Sequence, residues 1–142
     1  MTLNWQHESS SRWNEPKRRI VGAAPAGIFD SRFGELADDD PLPGDWWRIE
    51  RDGEPVGYAW LDAVWGDAEV TLAVDTGARR AGIGSFTLDH LEDEARKRGL
   101  NRLYNTVRPT HPEHEATTAW FRKRGFAQSE DGSLIRAVPA HA

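Results

Sequence analysis

Arg79-Arg80-Ala81-Gly82-Ile83-Gly84 lies between an alternating apolar run and a helical pattern. A helix start offers unpaired amide N–H groups and the positive end of the helix dipole, so phosphate binds there readily. Gly82 and Gly84 lack side chains and let a ligand approach the backbone. Arg79 and Arg80 add charge that pairs with phosphate oxygens. The run is neither common nucleotide motif. No Gly-Lys-Ser/Thr follows, and Thr87 stands where the dinucleotide fingerprint wants a third glycine. Taken alone, the run reads equally well as an ordinary glycine turn before a helix. His111-Pro112-Glu113-His114-Glu115 raises metal chemistry, because two histidines three apart share a helix face. No recognisable spacing supplies a third ligand, so no metal is assigned. The acids there complement a helix start, and one histidine caps it.

These residues need elements to hold them. Trp46 to Arg51, then Val56 to Leu61, then Glu69 to Val74 read as three antiparallel strands. Asp52-Gly53 is a hairpin signal between the first two, and Trp65-Gly66-Asp67 turns the chain into the third. Val70, Leu72 and Val74 share one face of that third strand. The period then changes. Ile83, Phe86, Leu88, Leu91 and Ala95 form a helical stripe, supported by Glu92–Arg96, Asp93–Lys97 and Glu94–Arg98 at four-residue spacing. Gly99 stops that helix, with Leu100 folding back on Ala95. Leu103 to Val107 reads as a strand and Pro112 to Arg124 as a helix stopped by Gly125. From Phe126 onward come a strand, a turn at Asp131-Gly132 and a last strand through Leu134 to Val138. The strand–helix–strand step predicts one parallel pair within a mostly antiparallel sheet.

The first 45 residues are less patterned. Met1 to Lys17 is polar and reads as an extension or a docked arm. Arg18 to Val21 suits a short first strand, and Pro25 to Ala37 a short helix. Asp38 to Gly44 is a loop by composition. Its three aspartates are a solvated acidic loop, or a lure for a cationic ligand.

A length of 142 residues fits a single domain with a real core. Cysteine is absent, which excludes disulfides, thiolate metal ligation and thiol catalysis. No signal peptide or membrane-spanning run is visible, so the reading is a soluble, cytoplasmic protein without a membrane partner. The net charge of −5 disfavours nucleic acid. The seven tryptophans read mostly as core.

Leu72-Ala73-Val74-Asp75, a short loop and Arg79-Arg80-Ala81-Gly82-Ile83-Gly84 together resemble the pyrophosphate-binding motif of the GNAT acetyltransferases, Arg/Gln-x-x-Gly-x-Gly/Ala. Trp120-Phe121-Arg122-Lys123-Arg124-Gly125-Phe126 resembles the family's aromatic helix ending in Gly-Phe. Asp52 to Ala59 resembles the hairpin before the motif. The resemblance covers residues 46–138; residues 1–44 match loosely, with 1–17 the polar extension.

The resemblance implies a mixed α/β (α+β) GNAT fold. Its central sheet is mostly antiparallel, with one splayed parallel pair, here Glu69–Val74 and Leu103–Val107, and flanking helices. It implies acetyl-CoA as co-substrate and an amine, on a small molecule or a protein, as acceptor. The backbone of Leu72, Ala73 and Val74 would pair with the pantetheine arm, and an N–H near Val74 would hold the oxyanion. Arg79, Arg80, Ala81, Gly82, Ile83, Gly84 and Ser85 would hold the pyrophosphate. Glu69 is the nearest strand carboxylate for the general base, and equally a solvated strand charge. The family's usual acid is a tyrosine, and here that position is Phe121. Its usual asparagine falls at His114 counting back from Phe121, or at His111 counting forward from the strand. Either histidine can bond the cofactor or donate a proton. The resemblance also allows a homodimer. Its rival is a CoA-binding sensor without catalysis, which Phe121 favours. An anion-binding or nucleic-acid-binding domain is a further rival, set aside on charge.

Overall fold

The computed structural model describes residues 3–8, 11–20, 37, 39–42, 45–75, 82–106, 114–130 and 132–138. Among these residues, seven strands form one sheet, β1 (Leu3–Glu8), β2 (Asp45–Arg51), β3 (Glu54–Val64), β4 (Asp67–Val74), β5 (Arg102–Thr106), β6 (Ala127–Gln128) and β7 (Ser133–Ala137). The helices are α1 (Glu15–Ile20), α2 (Ile83–Lys97) and α3 (His114–Lys123). The sheet order is β1-β2-β3-β4-β5-β7-β6. Every neighbouring pair is antiparallel except β4 and β5, which run parallel. This is the mixed sheet that the strand–helix–strand step predicts.

The meander of β2, β3 and β4 follows the period-two pattern except where the β2–β3 register shifts between Ile49 and Glu50, which leaves Val56 on the side of Ala59 and Leu61 and not of Tyr58. Val56, Ala59, Leu61, Ala68 and Val70 are buried in one core with Ile83, Leu88, Leu91 and Ala95 of α2. Leu72 and Val74 pack on the same core, so Val70, Leu72 and Val74 do share a face. Phe121 of α3, Leu103 of β5, Phe126 and Leu134 complete it. The opposite face carries Trp46, Tyr58 and Ala73, covered by Trp13 and Ile20. Thus α2 and α3 lie on one side of the sheet and α1 on the other.

Both long helices stop as their sequences predict. Gly99 and Gly125 have φ of +71° and +90°. Leu100 N–H donates to Ala95 at 3.0 Å and Phe126 N–H to Phe121 at 3.2 Å, the outer bonds of a Schellman motif. Two of the three four-residue ion pairs on α2 form, Glu92–Arg96 and Asp93–Lys97, at 3.9 Å and 3.2 Å. Arg98 instead crosses to Asp45 of β2 and lies over the Trp47 ring. Burial pushes the Asp45 carboxyl up, but the bonds and charges of Arg98 and His7 together hold it below the usual range.

The amino-terminal residues differ from the sequence reading. The expected loose arm is an edge strand, β1, which pairs with β2 from Leu3↔Arg51 to Glu8↔Trp46. Its alternation is real but short on apolar residues. Trp5 stacks on Trp47, with ring centroids 5.4 Å apart, and touches Phe86 and His90 of α2. The expected strand at Arg18–Val21 is helix α1 as far as Ile20, and Val21 lies outside the described residues. Asn14 caps α1, its Oδ1 accepting the Lys17 N–H at 3.0 Å, and Pro16 suits a first turn. Lys17 is 1% exposed. Its Nζ meets Glu8 Oε1 at 2.6 Å, donates to the Arg12 carbonyl at 2.8 Å and lies over the Tyr58 ring. Glu8 also pairs with Arg48 at 3.0 Å. The helix expected over Pro25–Ala37 lies outside the described residues apart from Ala37.

Trp65, at the β3–β4 turn, is 99% exposed, whereas the other tryptophans are buried or half-buried. No helix among the described residues is long and apolar enough to cross a membrane.

Candidate functional site

The parallel pair is joined over a short length. β4 and β5 register only at Ala68↔Leu103 and Glu69↔Tyr104, although β4 continues to Val74 and β5 to Thr106. Beyond Glu69 the strands part. Asn105 sits at the fork, with its side-chain Nδ2 donating to the Val70 carbonyl at 2.7 Å in a buried bond. The amide replaces a ladder bond that the diverging backbones no longer make.

The direction of that bond fixes which way the rest of β4 faces. The Val70 carbonyl points toward β5. Asp75 N–H, five residues on, points the other way and donates to Val56 of β3 at 2.8 Å. Backbone groups alternate along a strand, so the N–H and C=O of Leu72 and Val74 face the gap, and those of Ala73 face β3. An extended ligand in the gap would meet them as an added strand.

β4 leads through residues 76–81 to α2. Arg79, Arg80 and Ala81 lie outside the described residues. Gly82 is described, and takes a left-handed conformation with φ of +76°. A Cβ there would meet nothing within 4 Å, so backbone conformation, not crowding, calls for glycine. Gly82 brings no side chain to cap the helix, which leaves the first-turn amides uncapped from that position.

Gly84 has a different reason. A Cβ added there would come within 2.8 Å of Trp120 Cζ2. The second glycine of the motif therefore seats α3 against α2. Arg124 reinforces that junction. Its guanidinium lies 3.9 Å from the Trp120 ring centroid, its Nε donates to Ser85 Oγ at 3.1 Å, and Nη1 donates to the Trp120 carbonyl at 3.0 Å. The sequence pattern makes Arg124 the last residue of the expected helix, before Gly125. The fold also brings it to the first turn of α2, and no spacing within either helix signals that approach.

Glu69 is half-buried on β4 and accepts a hydrogen bond from the Tyr104 hydroxyl at 3.0 Å. Asp62 of β3 is in register with it. The Tyr104 phenol is pushed up to about 12 by burial, then by its bond to Glu69 and by the charges of Glu69, Asp62 and Asp67. Sequence reasoning missed both Tyr104 and Asn105. Asn105 was detectable as a polar residue on the core face of a strand, two places from Leu103; nothing marks Tyr104 before the pairing register is known.

Phe121 is 6% exposed and stands edge-on to Phe126, with ring centroids 5.1 Å apart. This is the contact expected at a Schellman stop. His111 lies outside the described residues, as does the side chain of His114, whose backbone opens α3.

Known proteins agree with this architecture. Residues 4–126 match the model of the Acetyltransferase (GNAT) family. The amino-acid acetyltransferase of Pseudomonas putida (strain GB-1) is 38% identical over 86 residues, covering 57% of this chain and 18% of that protein. The chain thus spans about a fifth of that relative's length. N-acetylglutamate synthase from Neisseria gonorrhoeae, solved with coenzyme A and L-arginine, is 26% identical over 68% of this chain and 25% of its own, with a TM-score of 0.58. The ribosomal-protein-S18-alanine N-acetyltransferase from Escherichia coli superposes over 99% of this chain and 96% of its own, with a TM-score of 0.61 at 22% identity. With the forked parallel pair, the glycine-led helix and a family match over most of its length, the chain belongs to the GNAT acetyltransferase family.

Proposed function

We propose that this chain transfers an acetyl or other short acyl group from acyl-CoA to an amine, by direct attack while both are bound. The observation that carries the reading is the fork between β4 and β5, with the backbone of Leu72 and Val74 turned toward it. Pantetheine is an amide-bearing chain of the right kind to pair with such an edge. The residues present fit the rest of the cofactor. Gly82, Ile83, Gly84 and Ser85 open α2, where phosphate is favoured, and Arg79, Arg80 and Ala81 precede them in sequence. His114 and Phe121 lie on α3, which packs on the same side of the sheet.

The chemistry is one substitution at carbon. The acceptor nitrogen, once deprotonated, attacks the thioester carbonyl and forms the C–N bond. The oxyanion is held by the Val74 N–H, and the C–S bond breaks as the tetrahedral centre collapses. Glu69 receives the proton from nitrogen. The departing thiolate takes a proton from water or from His111 or His114. Phe121 has no proton to give. Tyr104 is a poor donor, with a phenol near 12 against a thiol of about 8.5.

Calorimetric titration with acetyl-CoA, followed by free-thiol release in the presence of a panel of amines, tests the reading. Binding with amine-dependent thiol release is expected. Binding without release from any amine would favour a sensor, and no binding would overturn the cofactor site. Gly82→Val in the same titration should abolish binding.

A further inference from the structure

Glu69 and Tyr104 are the last residues in register before β4 and β5 part. Their hydrogen bond, at 3.0 Å, therefore sits at the vertex of the fork. A second side-chain clamp lies just behind it, where Arg102 holds Asp67 through Nε at 3.2 Å and Nη2 at 2.8 Å. The groups facing Glu69 can be named strand by strand. β3 supplies Asp62, in register with it. β5 supplies Tyr104 and, beyond it, Arg102, whose charge is matched by Asp67. β7 places Ile135 opposite Tyr104 and adds no charge. The carboxylate thus has acidic company, and its close described side-chain donor is an uncharged phenol.

That choice of donor has chemical content. A carboxylate on a flexible stem can present either oxygen in several directions. The phenol engages Oε2 and leaves Oε1 for another partner. A lysine or arginine in the same place would hold Glu69 more strongly, but would repel a cationic amine and suppress its basicity. The phenol fixes geometry without adding positive charge. It remains protonated at neutral pH and so keeps the proton it donates to Glu69.

We infer that Tyr104 is a positioning residue for acyl transfer, holding Glu69 at the vertex so that its second oxygen meets the proton of the incoming amine. The inference rests on Glu69 being the base, as proposed above. It asks nothing new of Tyr104 as an acid and adds no covalent step.

Tyr104→Phe, Glu69→Gln and the double variant test it in the full chain. Acetyl-CoA consumption is followed with the amine that the parent uses best. Tyr104→Phe should lower kcat about ten-fold, the scale of one hydrogen bond. It should leave the Kd for acetyl-CoA unchanged. The loss should fall on kcat more than on the KM for the amine, because the bond aligns the base and does not hold the acceptor. In the Glu69→Gln background the same change should do nothing further. A Tyr104→Phe enzyme with parental kcat, beside an inactive Glu69→Gln, would overturn the inference while leaving the base in place. An active Glu69→Gln would remove the base, and the inference with it. Spectrophotometric titration supplies a readout that needs no turnover. The chain has two tyrosines, Tyr58 and Tyr104, so Tyr104→Phe identifies the second phenol by difference. It should titrate near pH 12 in the parent and lower in Glu69→Gln. An identical titration in both would mean that the two side chains do not interact.

Discussion

Gly84 on α2 and Trp120 on α3 are in contact so close that a single added methyl at Gly84 would fall 2.8 Å from the indole edge. Glycine is disfavoured inside a helix by about 1 kcal/mol relative to alanine, so the packing must outweigh that preference. Gly84→Ala should therefore destabilise the fold, since overpacking costs about 1–3 kcal/mol. Trp120→Leu should recover part of the loss in the double variant. Urea denaturation of the four proteins measures the coupling, and a more stable Gly84→Ala would refute the contact.

Arg124 joins the same junction to Ser85. Arg124→Leu should lower stability by about 1 kcal/mol, from a lost hydrogen bond and a lost cation–π contact. It should also weaken acetyl-CoA, because a cation beside the first turn of α2 favours phosphate. The affinity loss should shrink as salt is raised. A loss that does not depend on salt would assign the effect to packing alone.

Lys17→Ala should cost about 3 kcal/mol, because it leaves the Glu8 carboxylate short of its closest charge partner. Lys17→Met, which keeps most of the buried stem, should cost less than Lys17→Ala. Equal losses in denaturant unfolding would mean that charge, not volume, dominates the site.

Phe121→Tyr places a hydroxyl where the family's acid is expected. Acetyl-CoA affinity should stay within about two-fold, and turnover should rise, since a positioned acid contributes on the order of 100-fold. Steady-state kinetics beside a binding titration separate the two. A fall in turnover with binding intact would show that the phenyl ring itself is needed.

Alkaline stability follows from Tyr104. Its folded phenol titrates near 12, above the ordinary value of about 10. The folded state therefore binds more protons than the unfolded chain in that interval. Its stabilisation is complete below pH 10 and is lost as pH rises through 12. Urea midpoints from pH 9 to pH 12 should fall more steeply in the parent than in Tyr104→Phe.

The sequence is most legible where period and punctuation agree. Gly99 and Gly125 mark helix ends, Asp52-Gly53 marks a hairpin, and Val70, Leu72 and Val74 mark a buried face; each appears in the fold as read. The first strand escapes because only Leu3 and Trp5 carry its pattern, and Trp5 acquires meaning only from Trp47 across the sheet. Lys17 reads as the end of a polar arm until Glu8, nine residues earlier, is folded back onto it. Gly84 is legible as glycine but not for its reason, because Trp120 is distant in sequence. Long-range partners, not local propensity, account for each of these differences.

The short seam between β4 and β5 has a consequence for how the sheet responds to a ligand. The leaf of β1 to β4 meets the leaf of β5 to β7 along two registered residue pairs, so the ladder between the leaves is confined to that short seam. A bound chain in the fork would hold the leaves together with its own amides. Leu72 and Val74 should then exchange their amide hydrogens readily in the free protein and become protected with acetyl-CoA. Ala73, whose N–H is turned toward β3, should be protected throughout. An exchange map of three consecutive residues would thus report occupancy of the fork without any measurement of turnover.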